Sequence, residues 1–293
     1  MISVVIPVFN GAPYLRETIR SVKNSSYKDY EIILIDDGST DESKKLCREL
    51  VRKNSKIRFF AFKKNRGLGH TLNFALKRAK GQYICRINQD DRMLRLRIET
   101  QVRFLNRNQK VSAVGSWVKL FFADGHEEIL KFLPTHEEIT KSWLMVSPFA
   151  DPSVMYRRDI AIVAGGYQQQ FWPADDTQLW YRMGIKGELA NIQKPLVEVR
   201  FHKDAASVKH FRKLTVSLFN VHRWAHETVG PAPLWVQAFW IAQLVAGMTL
   251  TAEFNWRFYR RLKKIINAFA TIKDHKLISP LLRFPMGKTY VSK

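Results

Sequence analysis

Acidic pairs end two apolar runs in the first third of the sequence. Asp36 and Asp37 close the second such run, and Asp90 and Asp91 close the fourth. In open α/β sheets, ligands bind beyond the carboxyl ends of the strands, so these carboxylates could meet in one crevice. Adjacent carboxylates repel each other, and a divalent metal with oxygen ligands would neutralise them. The alternative is that they only close turns or cap helices, since Asp is a favoured N-cap residue.

The segments around these pairs alternate between strand-like and helix-like patterns from residue 3 to residue 115. The uninterrupted apolar and β-branched run that opens the chain fits a parallel strand covered on both faces. Apolar residues three and four positions apart indicate amphipathic helices between the strands. The sequence predicts strands at 3–10, 32–35, 57–62, 83–87 and 111–115, and helices from about 13, from 42 to 53, at 71–78 and at 95–106.

These patterns predict the start of the second helix and the type of sheet, and they exclude several familiar folds. Ser39 and Glu42 form a capping-box pattern, which predicts the start of the second helix. The alternation of elements predicts a parallel sheet with right-handed crossovers. The first strand is followed by residues 7–11, which do not contain Gly-x-Gly-x-x-Gly, and the Walker and Gly-x-Ser-x-Gly patterns are missing from the sequence. Nicotinamide, P-loop and α/β-hydrolase chemistries are therefore disfavoured.

The composition predicts one large domain or two small ones. The chain has 293 residues, 46% of them hydrophobic, so it can bury a full core and global disorder is excluded. Cys47 and Cys85 lie far apart and outside any Cys-x-x-Cys pattern, which suits a reducing compartment. The N-terminus enters a strand-like run at once, without the regions of a signal peptide, so we expect a cytoplasmic protein.

Nine segments resemble, in order, the motifs of family 2 glycosyltransferases with a GT-A fold. The resemblance covers about residues 1–205, with a nucleotide half at about 1–115 and an acceptor half at about 116–205. It implies an α/β fold with a Rossmann-like, mixed and mainly parallel sheet flanked by helices. The nine segments are 4–10, 35–41, 65–69, 81–84, 88–91, 152–158, 165–167, 175–180 and 200–202.

This resemblance implies an inverting transfer of a sugar from a nucleoside-diphosphate sugar, usually a UDP-sugar. The acceptor would be a saccharide or lipid-linked saccharide in cell-surface polysaccharide synthesis. A Mn²⁺ or Mg²⁺ cofactor would neutralise the leaving diphosphate. By the same resemblance, Asp90 is the metal-binding aspartate, and His202 lies at the metal and the pyrophosphate. The residues implied to bind the nucleotide are Pro7, Val8, Phe9, Asn10, Asp36, Asp37, Arg66, Asn88 and Gln89.

The acceptor half supplies the candidate base. An acceptor hydroxyl loses a proton as it attacks the anomeric carbon, and a nearby carboxylate is the natural base. Asp176 resembles the family's base, and Asp175 precedes it where a Glu is more usual. Asp91 is expected to support its loop or to contact the sugar. Trp172 and Trp180 could stack on sugar rings, but the helical spacing of Trp180 favours a place in the core, so Trp172 is the one expected at the sugar or the acceptor.

The sequence departs from the family pattern at two positions. Asn88 stands where the family's Asp-x-Asp motif begins, so this ligand would carry no charge. Asp151 stands where relatives often have His. Structural alternatives stay open for three residues: Asp176 as a helix N-cap, His202 as a structural histidine and Arg66 as a solvated loop cation.

Residues 206–293 form a predicted helical, basic extension. The stretch 203–293 holds fifteen Lys and Arg against four Asp and Glu. An uncharged helix at about 234–252 nears the length of a membrane span, and a basic amphipathic helix follows from Phe254 to Ile272. Because a span would separate the catalytic part from its donors, we expect two helices on the anionic inner face of the cell membrane. The alternatives are a helical lid on the catalytic domain or a dimer interface.

The net charge of +22 also allows a nucleic-acid-binding protein. No nucleic-acid-binding motif accompanies the charge, so we expect no nucleic-acid partner. Asn88 suggests another alternative, a non-catalytic protein that binds nucleotide sugars without turnover. The carboxylate-ended strands favour an enzyme, a glycosyltransferase of the hexosyltransferase type, and a homo-oligomer stays open.

Overall fold

The structure, a computed structural model, describes residues 1–202 and 204–271. Within these residues, nine strands form one sheet flanked by helices. The strands are β1 (Ile2–Val8), β2 (Tyr30–Asp36), β3 (Ile57–Ala61), β4 (Tyr83–Arg86), β5 (Arg92–Met93), β6 (Val111–Phe122), β7 (Glu127–Leu130), β8 (Met155–Arg157) and β9 (Glu188–Phe201). The α-helices are α1 (Ala12–Lys23), α2 (Ser43–Arg52), α3 (Leu68–Arg78), α4 (Arg97–Arg107), α5 (His136–Ser142), α6 (Arg158–Val163), α7 (Asp175–Lys186), α8 (Ala206–Lys209), α9 (Phe211–Thr228), α10 (Leu234–Thr249) and α11 (Ala252–Thr271).

The sheet combines a parallel N-terminal half with a mixed second half. Its strands run in the order β3-β2-β1-β4-β8-β6-β9-β5, and β7 pairs with β6. β1 to β4 are parallel to one another, as the strand–helix alternation predicts. β8 lies antiparallel between β4 and β6, whereas the long β6–β9 pair is parallel. The expected α/β fold with a mixed, mainly parallel sheet is confirmed.

The burial of β1 on both faces of the sheet explains why the strand is apolar at nearly every position. All seven of its residues are buried, and successive side chains point to opposite faces of the sheet. Val4 and Ile6 pack in one apolar core with Leu15 of α1. Val5 packs in a second core with Leu72 of α3. Helices cover both faces, so both sets of side chains must be apolar.

Two elements differ from the sequence prediction. The second helix begins at Ser43, with Glu42 at its N-cap and no side-chain cap, so the predicted capping box is wrong. The Ser39 hydroxyl instead accepts a hydrogen bond from the Asn10 backbone N–H at 3.0 Å, because the loops after β1 and β2 fold together. β6 is also longer than predicted, since it pairs along most of its length with β9.

The C-terminal helices α8 to α11 pack against the preceding 205 residues. Val236 and Trp240 of α10 and Ile266 of α11 share an apolar core with Trp143 and Leu144. The Trp240 indole N–H donates to the Leu144 carbonyl at 2.7 Å. The described part of the extension therefore makes the contacts of the helical-lid alternative.

No helix of the described residues has the length and apolar character that crossing a membrane requires. α10 lies within the predicted helix at 234–252 and ends at Thr249. α11 is described as far as Thr271. Ile272, where the predicted amphipathic helix ends, and residues 273–293 of the extension lie outside the described residues.

Candidate active site

The carboxyl ends of β1 and β4 open into a cavity of about 2170 Å³. The loops after these strands and the end of β9 form its walls, and residues of α8 to α11 line its remaining side. Asp36 and Asp175 do not line the cavity. The predicted site residues that do are Pro7, Val8, Phe9, Asn10, Asp37, Arg66, Asn88, Gln89, Asp90, Asp91, Trp172, Asp176 and His202.

A side-chain amide joins the loops after β1 and β4. Gln89 Oε1 accepts a hydrogen bond from the Phe9 backbone N–H at 2.9 Å, and Gln89 Nε2 donates to the Phe9 carbonyl at 2.9 Å. Gly11 leaves room for this pair, because a Cβ atom there would lie 2.0 Å from Gln89 Oε1. Both ends of the amide bind backbone, so Gln89 fixes the spacing of the two loops.

Asn10 and Asp37 extend this connection to the neighbouring loops. Asn10 has a positive φ of 51°, a conformation that asparagine tolerates better than most residues. Its side-chain oxygen accepts a hydrogen bond from the Thr40 backbone N–H at 2.9 Å. Asp37 accepts hydrogen bonds from the backbone N–H groups of Arg66 and Gly67 at 2.8 and 2.9 Å. The loops after β1, β2, β3 and β4 thus form one hydrogen-bonded rim.

Asp36 lies beneath this rim rather than at the cavity surface. Its side chain is fully buried, and Oδ2 accepts a long hydrogen bond from the Ser39 backbone N–H at 3.4 Å. Its Oδ1 has no hydrogen-bond partner within residues 1–202 and 204–271. A contact between Asp36 and a nucleoside stays a prediction.

Asp90 and His202 form the candidate metal position. His202 Nε2 lies 2.9 Å from Asp90 Oδ2, and both side chains are mostly buried in the cavity wall. The hydrogen bond to Asp90 raises the pKa of His202, because the carboxylate stabilises the imidazolium. A carboxylate oxygen suits Mn²⁺ or Mg²⁺, and imidazole is a common metal ligand. The donor types therefore fit a divalent cation.

Asp91 supports the loop behind this pair. It is 1% exposed, and its carboxylate accepts hydrogen bonds from the Arg200 backbone N–H at 3.0 Å and from Asn88 Nδ2 at 2.8 Å. Burial, followed by the charge of Asp90, raises the pKa of Asp91 to about 7. The amide of Asn88 donates to this buried carboxylate, where an aspartate would repel it. This contact gives the departure at position 88 a local role.

Asp175 and Asp176 lie in the first turn of α7. The N-cap residue is Ala174, so the alternative of Asp176 as an N-cap is wrong. Asp176 lines the cavity, and its Oδ1 accepts a hydrogen bond from the Thr177 backbone N–H at 2.6 Å. Asp175 is 2% exposed. Burial raises the pKa of Asp175 to about 7 and that of Asp176 well above its usual range.

Arg86 lies among these carboxylates, and sequence reasoning missed it. Its Nη2 atom lies 3.0 Å from Asp151 Oδ2, and the arginine is 1% exposed. The pKa values of Asp91 and Asp176 are raised overall, and the positive charge of Arg86 partly offsets this rise. An arginine inside the apolar strand β4 was the available signal, because a buried arginine is rare unless it is paired.

The two candidate tryptophans have different surroundings. Trp172 lines the cavity, with the Lys213 ammonium 4.3 Å and the His210 ring 4.9 Å from its ring centroid. Trp180 is fully buried and packs edge-on against Phe149 at a centroid distance of 5.5 Å. Trp180 therefore belongs to the core, as its helical spacing predicts.

Relatives of known sequence place the chain in a family. The sequence model of "Glycosyl transferase family 2" matches residues 3–163. The Escherichia coli protein named UDP-Gal:alpha-D-GlcNAc-diphosphoundecaprenol beta-1,3-galactosyltransferase is 30% identical over 208 residues, covering 70% of this chain and 74% of that protein. An uncharacterized glycosyltransferase of Rickettsia felis is 29% identical over 225 residues, 75% of this chain. The aligned part is 36% of the rickettsial protein, so this chain spans about a third of that relative's length.

Solved structures share the fold. Staphylococcus aureus TarS 1-349 in complex with UDP-GlcNAc gives a TM-score of 0.59 at 17% identity, covering 91% of this chain and 88% of that one. The mannosyltransferase PcManGT from Pyrobaculum calidifontis, in complex with GDP-Man and Mn²⁺, gives 0.61 at 17% identity, covering 92% and 84%. The match to the family over residues 3–163 and the shared fold lead to one conclusion: the chain belongs to glycosyl transferase family 2 and has a GT-A fold.

Proposed function

We propose that this glycosyltransferase moves a sugar from a nucleoside-diphosphate sugar, a UDP-sugar, to a saccharide or lipid-linked saccharide, with inversion at the anomeric carbon. The observation that carries the proposal is that Asp90, His202 and Asp176 line one cavity although they come from separate parts of the chain. A cation-binding position and a basic carboxylate on facing walls suit a donor and an acceptor that meet between them.

The donor side of the cavity supports a nucleotide diphosphate. The rim of loops around Phe9, Asn10 and Arg66 lies at the carboxyl ends of parallel strands, where open α/β sheets bind nucleotides. UDP is favoured because the Escherichia coli relative carries UDP-Gal in its name and the TarS structure holds UDP-GlcNAc. The same relative's name includes a diphosphoundecaprenol acceptor, which favours a lipid-linked saccharide.

Asp90 and His202 would hold a Mn²⁺ or Mg²⁺ ion at the donor diphosphate. No group of three His, Cys, Asp or Glu side chains placed to hold a metal occurs in the described part of the chain. The protein would supply these two ligands, and donor oxygens and water would complete the set. When bound, such an ion neutralises the charge that the leaving diphosphate develops.

Asp176 acts as the general base in this proposal. Its carboxylate takes the proton of an acceptor hydroxyl while the hydroxyl oxygen bonds to the anomeric carbon. The bond from that carbon to the diphosphate oxygen breaks on the opposite face, and its electron pair leaves with the nucleoside diphosphate. One displacement inverts the anomeric centre, so no enzyme nucleophile is required. Asp175 precedes Asp176 in α7, and its charge contributes to the raised pKa of Asp176.

We further propose that the enzyme works at an anionic membrane surface. Ile241, Val245 and Met248 follow one another at helical spacing on α10, and each is about half exposed. Phe258 and Ile265 are similarly exposed on α11. An exposed apolar stripe flanked by basic residues suits a helix that lies in the lipid interface. Such a position would bring the cavity close to a lipid-linked acceptor.

A donor panel tests the proposed reaction. Purified enzyme with Mn²⁺ is mixed with individual nucleotide sugars, and donor binding is followed by calorimetry while released nucleoside diphosphate is measured with and without saccharide acceptors. We expect one UDP-sugar to bind and to release UDP in an acceptor-dependent manner. Binding without release on any acceptor would favour the non-catalytic alternative, and absence of binding would contradict the proposal.

A further inference from the structure

A glutamine from the second half of the chain holds the turn that carries Arg66. Gln169 begins the 3-10 turn 169–171 and lines the cavity. Its Nε2 atom donates a hydrogen bond to the Arg66 carbonyl at 3.2 Å, and its Oε1 atom accepts one from the His70 backbone N–H at 3.1 Å. These contacts span 103 and 99 residues of sequence, so one side chain joins two distant parts of the chain.

The start of α3 requires a partner of this kind. Its N-cap residue is Gly67, which has no side chain that could accept a hydrogen bond from the first N–H groups of the helix. His70 is the third residue of α3, and Gln169 accepts from its N–H. Gly67 has a φ of 93°, and a Cβ atom there would lie 2.0 Å from Gln169 Nε2. Gln169 thus supplies the cap that the residues before α3 do not.

The backbone of Arg66 is therefore held on two sides. Asp37 accepts a hydrogen bond from the Arg66 N–H at 2.8 Å, and Gln169 donates to the carbonyl of the same residue. Arg66 lines the cavity, and its guanidinium carbon lies 5.6 Å from the centroid of the Phe62 ring. Because both backbone groups are fixed, the long side chain of Arg66 starts from a defined place at the cavity.

The segment around Gln169 also packs directly on α3. Asn73 Nδ2 donates to the Tyr167 carbonyl at 2.7 Å, and Asn73 Oδ1 accepts from the Tyr167 N–H at 2.8 Å. A Cβ atom at Gly69 would lie 2.7 Å from Asp175 Oδ2, so the starts of α3 and α7 touch. Residues 167–175 and the start of α3 thus form one packed unit, and Gln169 is its link to the turn before α3.

We propose that Gln169 is a positioning residue for the donor: its amide fixes the turn of Arg66 at the cavity, and Arg66 contacts the diphosphate of the nucleotide. A guanidinium binds phosphate oxygens through directional, paired hydrogen bonds, so its placement decides how well it binds. The inference rests on the proposed donor site. Gln169 bonds only the backbone of the turn, so its effect on the donor passes through Arg66.

Gln169→Ala tests this role, with Gln170→Ala as the matched control at the next position. Gln170 is exposed and lies outside the cavity lining. The probe is UDP with Mn²⁺, and calorimetry measures its Kd without any acceptor or turnover. Because two hydrogen bonds that hold the turn are lost, Gln169→Ala should raise the Kd about fivefold to tenfold, while Gln170→Ala should stay within about twofold of the wild type.

The two proposals fail in different ways in this experiment. A wild type that does not bind UDP would contradict the proposed function. A wild type that binds UDP, with an equal Kd for Gln169→Ala, would overturn the inference alone. Gln169→Met keeps the length of the side chain and loses both hydrogen bonds, so it should bind UDP as weakly as Gln169→Ala. Wild-type affinity in Gln169→Met would also overturn the inference, because the hydrogen bonds would then carry no effect.

A double variant tests whether Gln169 acts through Arg66. Arg66→Ala with Gln169→Ala should bind UDP as weakly as Arg66→Ala alone, because the residue that Gln169 places is already gone. With the donor and acceptor that the panel identifies, Gln169→Ala should raise the donor KM by the same factor as the Kd and leave kcat unchanged. Additive losses in the double variant, or a lower unfolding temperature with an unchanged Kd, would overturn the inference.

Discussion

Asp90 and Asp176 lie on different elements, yet their carboxylates face one cavity. Asp90 follows β4 and contacts His202, whereas Asp176 lies in the first turn of α7. Their surroundings give them different chemistry. Asp90 lies beside an imidazole and suits a cation, while burial and acidic neighbours make Asp176 a stronger base than an exposed aspartate. These differences support the proposal that Asp90 serves the donor and Asp176 the acceptor.

Asp90→Ala should weaken the metal site. We expect the Mn²⁺ concentration for half-maximal transfer to rise about tenfold or more, because one of two protein ligands is removed. The measurement is a Mn²⁺ titration of the transfer rate at saturating donor. Asp159→Ala, at an exposed aspartate of α6 outside the cavity, serves as the control and should leave the titration unchanged. An unchanged titration for Asp90→Ala would remove Asp90 from the metal site.

The transfer rate should rise with pH through neutrality. The pKa of Asp176 lies above its usual range and that of Asp175 is about 7, so both carry protons in acid and lose them as the pH rises. Only the deprotonated Asp176 can accept the acceptor's proton. Measuring the transfer rate from about pH 5.5 to pH 8.5 tests whether the rate rises in this way. A rate that falls across this range would contradict the assignment of the base.

At the scale of residues, the sequence indicated which residues belong to the candidate site better than it indicated which residues they contact. Asp90, Asp176 and His202 could be predicted as site residues because they stand in recognisable motifs, and the structure places all three at one cavity. The Phe9–Gln89 amide pair and the Asp91–Arg200 contact were not predicted, because each joins positions 80 or more residues apart. Such contacts follow from the order of strands in the sheet, which local patterns do not specify.

At the scale of elements, the parallel nucleotide half was predictable and the acceptor half was less so. The strands from β1 to β4 are apolar runs covered on both faces, and such runs are easily recognised. Polar residues recur along the whole of β9, so this strand has no such run. The packing of α10 and α11 was predicted only as the helical-lid alternative, since an apolar helix suits a protein core as well as a membrane surface.

Trp240→Ala should separate these roles of α10. Trp240 is 3% exposed and donates to the Leu144 carbonyl, so its truncation should cost about 3 to 5 kcal/mol of unfolding free energy. Trp235→Ala is the matched control on the same helix, because Trp235 is 39% exposed. Its cost should be about 1 kcal/mol or less. Urea unfolding measures both, and equal costs would contradict the packing of α10 on the catalytic part.

For the whole molecule, the extension has two faces. One face of α10 packs in the core with Val236 and Trp240, and the other exposes Ile241 and Val245. The exposed face is the one that would contact a lipid surface in the function proposed above, and the packed face makes the contacts of the helical-lid alternative. From the sequence alone, the membrane-surface prediction and the helical-lid alternative exclude each other, because the sequence does not show which residues of α10 lie on each face.

Binding to vesicles tests the outer face. Full-length enzyme should sediment with vesicles rich in anionic lipid at low salt and less so at high salt, because charge and apolar area both contribute. Ile241→Ser with Val245→Ser should lower binding about tenfold or more, since two exposed apolar side chains are lost. Ile162→Ser with Val163→Ser, at exposed positions of α6, is the control and should bind like the wild type. Equal binding by both double variants would place the membrane contact elsewhere.

The most direct test of the transfer mechanism is a single-turnover comparison of the wild type with Asp176→Asn, using the donor and acceptor that the panel identifies. The variant keeps the size of the side chain and should bind donor like the wild type, because the proposed function assigns Asp176 to the acceptor rather than to the donor. We predict that its rate of acceptor-dependent nucleoside diphosphate release falls about 100- to 10,000-fold. A variant that binds donor normally and transfers sugar at the wild-type rate would contradict the assignment of Asp176 as the base.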